Sequence, residues 1–301
     1  LGGSAIEAAI KNSQIKPTEV DDVIMGCVLP AGLGQAPARQ AALQGGIPLS
    51  AGATTVNKMC GSGMRSLMLA VDQLIAGSSS ITVAGGFESM TNAPYLLDKA
   101  RAGYRMGNGK VYDHMFLDGL EDSIESPGKL MGSFAEDTAQ EYQFTREQQD
   151  NFAIESLRKA KKANEDGSFK NEIVPIRVKS RKSETIVEKD ELPFKAKIDK
   201  IPQLRPAFTE GGSVTAANSS AISDGAAALV LMLKSTAEKK GLRPLARILG
   251  HATHSQDASK FTTAPIGAIK KLYEKINWSG KEVDLYEINE AFAVVTMAAM
   301  R

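Results

Sequence analysis

The run Thr54-Thr55-Val56-Asn57-Lys58-Met59-Cys60-Gly61-Ser62-Gly63-Met64 changes its periodicity at the cysteine. Thr54 to Asn57 is short and β-prone, whereas Met64, Leu67, Met68, Val71, Leu74 and Ile75 recur at helical spacing. The implied order is strand, cysteine, helix. A thiol at a helix N-terminus faces unpaired N–H groups and the positive end of the macrodipole, and both favour the thiolate and lower its pKa. Gly61 and Gly63 leave room for a substrate beside Cys60. The plainer alternative is a small core residue, since free cysteine is among the most buried residue types.

Outward from this stretch, Asp22 to Leu29, Ile81 to Gly85 and Leu285 to Ile288 read as buried strands, each beside a helical pattern. Arg247 to Gly250 reads as another strand, followed by a polar turn. The pattern predicts an α/β layered architecture. From about residue 91 to 221 the chain carries more charge, glycine and irregular sequence, including Arg177-Val178-Lys179-Ser180-Arg181-Lys182, as expected of an inserted loop region. One helix stands out within it. Thr145 is followed three residues later by Gln148 in a capping box, Phe152, Ile154 and Leu157 supply apolar positions, and Arg158 to Lys162 supply a basic end.

With 301 residues and 43% hydrophobic content, the composition is that of a soluble globular protein large enough for two cores or an elaborated single one. A formal net charge of +1, with charges interspersed, argues against nucleic acid as a partner. No apolar run approaches the roughly 20 residues that span a bilayer, so no membrane association is expected. The two cysteines lie far apart with no CxxC spacing, which suits neither a metal site nor a disulfide framework and points to a reducing, cytoplasmic setting. A mitochondrial location stays open. Cys27, inside an apolar run, is expected to pack rather than react.

The segment Val56 to Arg65 resembles the nucleophile motif of the thiolases, and the likeness extends along the chain. Gly26 to Gly32, Pro37 to Ala42, Val83 to Met90, Gly212 to Ser220, Ser223 to Ala228 and Asn289-Glu290-Ala291-Phe292-Ala293 resemble further family motifs, in family order. The resemblance implies a layered αβαβα thiolase fold with an inserted loop domain and an incomplete C-terminal half. Its expected divisions are an N-terminal half over residues 1–90 with 222–243 returning to it, a loop domain over 91–221 covering the active site, and the start of the C-terminal half over 244–301.

The same resemblance implies acyl transfer that forms or cleaves acetoacetyl-CoA by a ping-pong route through an acyl-cysteine at Cys60. Asn289 matches the asparagine that holds a water in the oxyanion site, although an asparagine there also suits a helix N-cap ahead of Glu290 to Met297. Phe208, Ala216 and Ser220 are placed along the pantetheine path, with Ala291 and Phe292 closing the pocket near the thioester. The small residues from Ala216 to Ser220 equally suit a tight loop. Asp224 to Ala228 reads as a packed helix start. Acetyl-CoA and coenzyme A are the expected partners, as substrates, with no separate cofactor and no metal. Asp113 to Leu120 looks like the acetoacetyl-CoA thiolases, which implies a short-chain substrate and a homotetramer.

Two departures matter. Many family members carry His-Met-Gly near the acyl group, where this chain has Leu130-Met131-Gly132; Met131 carries over and the histidine does not. The family's Gly-His-Pro motif, with the histidine that activates the nucleophile, and its Cys-x-Gly-Gly-Gly motif, with the acid/base cysteine, do not occur before Arg301. Because Leu1 to Ile6 also resembles the middle of a family helix, the expectation is a thiolase truncated at both ends that forms the acyl-enzyme poorly. His114, His251 and His254 are expected to be structural or surface residues. Two other readings compete: a β-ketoacyl synthase, opposed by the Asn-Glu-Ala-Phe motif, and a non-catalytic acyl-CoA or lipid-binding protein of thiolase shape, for which Cys60 has no purpose.

Overall fold

The computed structural model describes residues 1–179 and 183–301, so Ser180, Arg181 and Lys182 of the basic run lie outside the described residues. The elements in chain order begin with α1 (Gly2–Ser13), β1 (Asp22–Gly26), α2 (Pro37–Gln44), β2 (Gly52–Val56), α3 (Ser62–Ala76) and β3 (Ile81–Ser89). They continue with β4 (Tyr95–Leu96), β5 (Tyr112–Asp113), α4 (Met131–Glu141), α5 (Arg146–Glu165), β6 (Ile176–Lys179) and β7 (Glu184–Val187). The last are α6 (Leu192–Lys195), β8 (Asp224–Met232), α7 (Lys234–Lys239), α8 (Ala264–Ile276) and α9 (Ala293–Ala299). By compactness the chain forms two units, Leu1–Gly119 with Ile222–Arg247, and Leu120–Ala221 with Ile248–Arg301. The segment from residue 91 to 119 counts with the first unit, where the His114 Nε2 accepts the Ala31 N–H at 3.3 Å.

The first unit is built on a four-stranded sheet of order β2-β1-β3-β8. β1 lies parallel to both β2 and β3, and β8 closes the β3 edge antiparallel. Alternation sorts the side chains. Val23, Met25, Ile81 and Val83 face α1 and α2 and join Ile6, Ile10, Ala38 and Ala41 in one core, while Ile24, Ala84 and Leu231 face α3 and meet Ala70 and Leu74. Each fully buried branched side chain contributes about 2 kcal/mol to this sandwich. On α3, Met68 and Leu74 are buried, but Met64 and Ile75, at the same helical spacing, are 63% and 72% exposed.

Two expectations are corrected here. β1 stops at Gly26 rather than running to Leu29, because the Val28 and Leu29 N–H groups turn away to donate to the Glu88 carboxylate at 2.8 and 2.9 Å. Asp224 to Ala228 is a strand, not a helix start; it pairs from Ser89↔Asp224 to Ile81↔Met232, and the open edge of β3 outweighs the helix propensity of its alanines.

In the second unit, α4 and α9 share an apolar core of Ala135, Ala139, Phe144, Val214, Phe292, Val294, Val295 and Ala298. α5 starts as its sequence predicts: Thr145 Oγ1 accepts the Gln148 N–H at 3.2 Å, and Gln148 Oε1 accepts the Thr145 N–H at 2.9 Å. The strands expected at Leu285–Ile288 and Arg247–Gly250 do not form, and Leu285 is 88% exposed. A strand needs a neighbour for its N–H and C=O groups, and among the described residues of this unit the only named strands are β6 and β7, paired with each other. Among the described residues no helix is long and apolar enough to cross a membrane.

The β3–β8 edge makes a direct test. A Cβ on Gly85 would sit 2.0 Å from the Ala227 carbonyl oxygen, a backbone atom that cannot move without breaking the ladder. Gly85→Ala is expected to destabilise the chain by about 3 kcal/mol, read as a lower urea midpoint; an unchanged midpoint would show that this pairing is dispensable.

Candidate active site

Cys60 occupies a tight turn between the end of β2 and the first residue of α3, and its side chain is exposed. The turn rests directly on the sheet. A Cβ on Gly26 of β1 would lie 2.5 Å from the Ser62 carbonyl carbon, and one on Gly86 of β3 would lie 3.3 Å from the Gly63 Cα. Gly26 and Gly86 are paired in the ladder, so the backbone of α3 enters through a gap in two adjacent strands. Ser66, fully buried one turn later, ties the helix down: its hydroxyl lies 2.6 Å from the Gly63 and Gly85 carbonyls and accepts the Gly85 N–H at 3.0 Å.

The thiol does not behave as helix-end placement alone predicts. The protein packed around Cys60 pushes its pKa up by desolvation, its own backbone N–H pulls it down, and the Glu88 charge adds a further upward push. The side chain reaches solvent at its surface, which tempers the desolvation, but the two upward causes agree in direction. The expected lowering fails because the turn consumes its own donors: Gly61 N–H donates to the Lys58 carbonyl at 3.1 Å and Ser62 N–H to the Met59 carbonyl at 3.0 Å. Cys27 differs in burial. It is 2% exposed, its Sγ donates to Glu88 Oε1 at 3.6 Å, and burial with the Glu88 charge pushes its thiol up to about 12. It packs and does not react.

The remaining site residues of the sequence reading all belong to the second unit, where the fold brings most of them together. Phe208 and Phe292 meet edge to face with ring centroids 6.0 Å apart, and Met131 and Ala291 pack on the same core. Gly132 makes this possible, since a Cβ there would lie 2.2 Å from the Phe208 ring. Leu130, half-buried, immediately precedes α4. Ser220 donates its N–H to the Ala291 carbonyl at 2.9 Å and its hydroxyl to the Glu290 carbonyl at 2.6 Å, while Ala293 N–H donates to the Asn218 carbonyl at 2.9 Å. This pairing holds Glu290 to Phe292 extended, so α9 begins only at Ala293 with Phe292 as its N-cap. Asn289 is therefore exposed and is not a helix cap, which corrects that reading. Ala216 and Ser220 are likewise exposed.

Several residues that organise these loops escape a reading by motif. Glu136 of α4 accepts the Ser213 and Val214 N–H groups at 2.9 and 2.8 Å and so holds the Gly212–Val214 loop. Asn218 is buried, with Nδ2 donating to Asp150 Oδ1 at 3.0 Å and Oδ1 accepting the Thr215 N–H at 2.7 Å. Asp150 in turn accepts from Arg146 Nε at 2.7 Å, and Arg146 also donates to the Leu204 carbonyl at 2.8 Å. The capping box marks where α5 begins, but nothing local marks Asp150 as the hub between Arg146 and Asn218. The histidines are held locally: Nδ1 of His114 lies 2.6 Å from Asp118 Oδ2, and Nε2 of His254 lies 2.9 Å from Gln256 Oε1.

Residues 1–235 match the family description "Thiolase, N-terminal domain", and residues 242–301 match "Thiolase, C-terminal domain". The chain belongs to the thiolase family. This thiolase chain is 46% identical over 299 residues to a probable acetyl-CoA acetyltransferase of Dictyostelium discoideum, covering 99% of the chain and 72% of that protein. Among solved structures it resembles an acetyl-CoA acetyltransferase from Syntrophomonas wolfei, with a TM-score of 0.94 at 39% identity over 100% of the chain and 75% of the other. A thiolase from Ascaris suum in complex with coenzyme A superposes with a TM-score of 0.93 at 38% identity, over 100% of the chain and 76% of the other.

For this thiolase the sign of the Cys60 shift sets a pH dependence. A thiol above its ordinary value holds less thiolate at any given pH, and the thiolate is the nucleophile. Alkylation of Cys60 by iodoacetamide should therefore climb about tenfold per pH unit and keep climbing through the ordinary thiol range, while Cys27 stays unmodified until denaturant is added. Peptide mapping of the alkylated chain checks both; a plateau near neutrality would mean that Cys60 is ionised by its turn after all.

Proposed function

We propose that this thiolase is an acetyl-CoA C-acetyltransferase, with Cys60 as the residue that carries the acetyl group. The observation that carries the reading is an exposed cysteine at a strand-to-helix turn in a chain 46% identical over 299 residues to a probable acetyl-CoA acetyltransferase. Cys60 Sγ attacks the thioester carbonyl of acetyl-CoA, the carbonyl–sulfur bond to coenzyme A breaks, and coenzyme A leaves as the thiol with the proton that Cys60 gave up. A second acetyl-CoA, deprotonated at its methyl group, then takes the acetyl group from Cys60 to give acetoacetyl-CoA, and the cysteine regains a proton. Every step runs equally in reverse.

In this reading Asn289 holds the water of the oxyanion site, and its exposure outside any helix leaves its amide free for that task. Leu130 and Met131 shape the acyl pocket, where leucine makes the wall apolar at a position that many relatives fill with histidine. Phe208, Ala216, Ser220, Ala291 and Phe292 line the pantetheine path, supported by the Phe208–Phe292 contact and by the exposed small residues beside it. The chemistry requires a free thiol, which supports a reducing compartment, and the likeness of Asp113 to Leu120 to acetoacetyl-CoA thiolases supports a homotetramer.

Intact-mass spectrometry after incubation with acetyl-CoA tests the reading. One acetyl group should appear on Cys60, faster as the pH rises because the thiol is not ionised in advance, and none should appear in Cys60→Ala. Binding of coenzyme A with no acetyl group on Cys60 at any pH would replace the transferase with a binding protein of thiolase fold.

A further inference from the structure

Met59, which directly precedes the cysteine, has φ +49°, a left-handed conformation that an unbranched side chain enters only when something holds it. Both of its backbone groups are held by side chains. Its N–H donates to Asn57 Oδ1 at 2.9 Å, a side chain bonding to the backbone two residues on. Its carbonyl accepts the Ser62 hydroxyl at 2.5 Å, and the same hydroxyl accepts the Lys58 N–H at 2.9 Å. Ser62 is 4% exposed and fixed on the sheet beside Gly26, so one side of the clamp belongs to the rigid helix. Asn57 supplies the other. Its Nδ2 reaches the Val28 carbonyl at 3.4 Å, and Val28 is itself held through its N–H on Glu88 at 2.8 Å.

We propose that Asn57 is a positioning residue for Cys60: by holding the Met59 N–H it keeps residue 59 left-handed and so fixes the direction in which the next residue presents its backbone and thiol. The consequence is chemical as well as geometric. The Cys60 backbone N–H is the one local influence that favours the thiolate, against desolvation and the charge of Glu88 on β3. If residue 59 rotates out of the left-handed region, the peptide between Met59 and Cys60 turns with it, and the cysteine presents its N–H and thiol in a different direction. Asn57 thus acts through Met59 without needing to touch substrate. The inference rests on the reading of Cys60 as the acyl carrier, but it is tested on the thiol itself, so a failure of acetyl transfer and a failure of this proposal are separate results.

The test is the pH profile of Cys60 alkylation by iodoacetamide in the whole chain, followed by peptide mapping from about pH 7 to about pH 10. In Asn57→Ala the profile should move to higher pH and the rate at neutral pH should fall about threefold to tenfold. Adding Met59→Gly to Asn57→Ala should restore the parent profile, because glycine takes positive φ without a clamp. A general loosening of the fold would not be repaired by a second substitution to glycine. Asn57→Gln covers the case in which the alanine variant does not fold; its longer side chain keeps the amide but overshoots the Met59 N–H, and it should shift the profile in the same direction. If the Asn57→Gln or Asn57→Ala profile superposes on that of the parent, or if Met59→Gly restores nothing, Asn57 does not position the cysteine and the proposal is overturned.

Discussion

The start of α3 lies directly on the backbone of the sheet, and the rest of the cysteine's setting depends on that contact. With no side chain at Gly26, Gly63 or Gly86, the first turn of the helix lies backbone to backbone on β1 and β3. A helix separated from the sheet by side chains would start several ångströms farther out, and Ser66 would lose the Gly85 carbonyl it bonds. The parallel strands β1, β2 and β3 all run toward the same edge, so their carboxyl ends gather there, and the cysteine turn leaves directly from the end of β2. In open α/β sheets that is the edge where ligands bind. The glycines are thus the reason that the Cys60 turn stands at that edge of the sheet.

Glu88, at the end of β3, organises the same edge by a different means. Its carboxylate replaces the partner strand that Val28 and Leu29 lack, accepts the Cys27 thiol, and imposes a negative charge on Cys60. One residue therefore both shapes the loop beside the cysteine and opposes its ionisation.

How far these features were legible in the sequence follows from how local they are. The β1 and β3 strands and the start of α5 could be read because each depends on its own residues: an apolar run, or a threonine and a glutamine three apart. The strand expected at Leu285–Ile288 has the same apolar density, but density does not supply a partner, and the segment stays unpaired. The alanine-rich start of β8 reads as helix until the open edge of β3 is known. Among the site residues, the contact of Phe208 with Phe292 spans 84 positions of sequence and depends on Gly132, where no local pattern marks the place. The direction of the Cys60 shift was misjudged for a related reason, because Glu88 is 28 residues away and the turn's internal hydrogen bonds depend on geometry alone.

The contrast between the two cysteines sharpens what the fold contributes to reactivity. Both thiols feel Glu88, and both are pushed away from ionisation. They differ in access, for Cys27 is enclosed and gives its proton to Glu88 in a hydrogen bond, whereas Cys60 is open to solvent. Acid strength therefore does not distinguish the two thiols in this chain; exposure does. A thiol held neutral until substrate arrives also resists oxidation and stray alkylation, since those reactions too require the thiolate. In the proposed reading, acyl transfer through a Cys60 thiol that is not ionised in advance calls for a proton acceptor at the moment of attack.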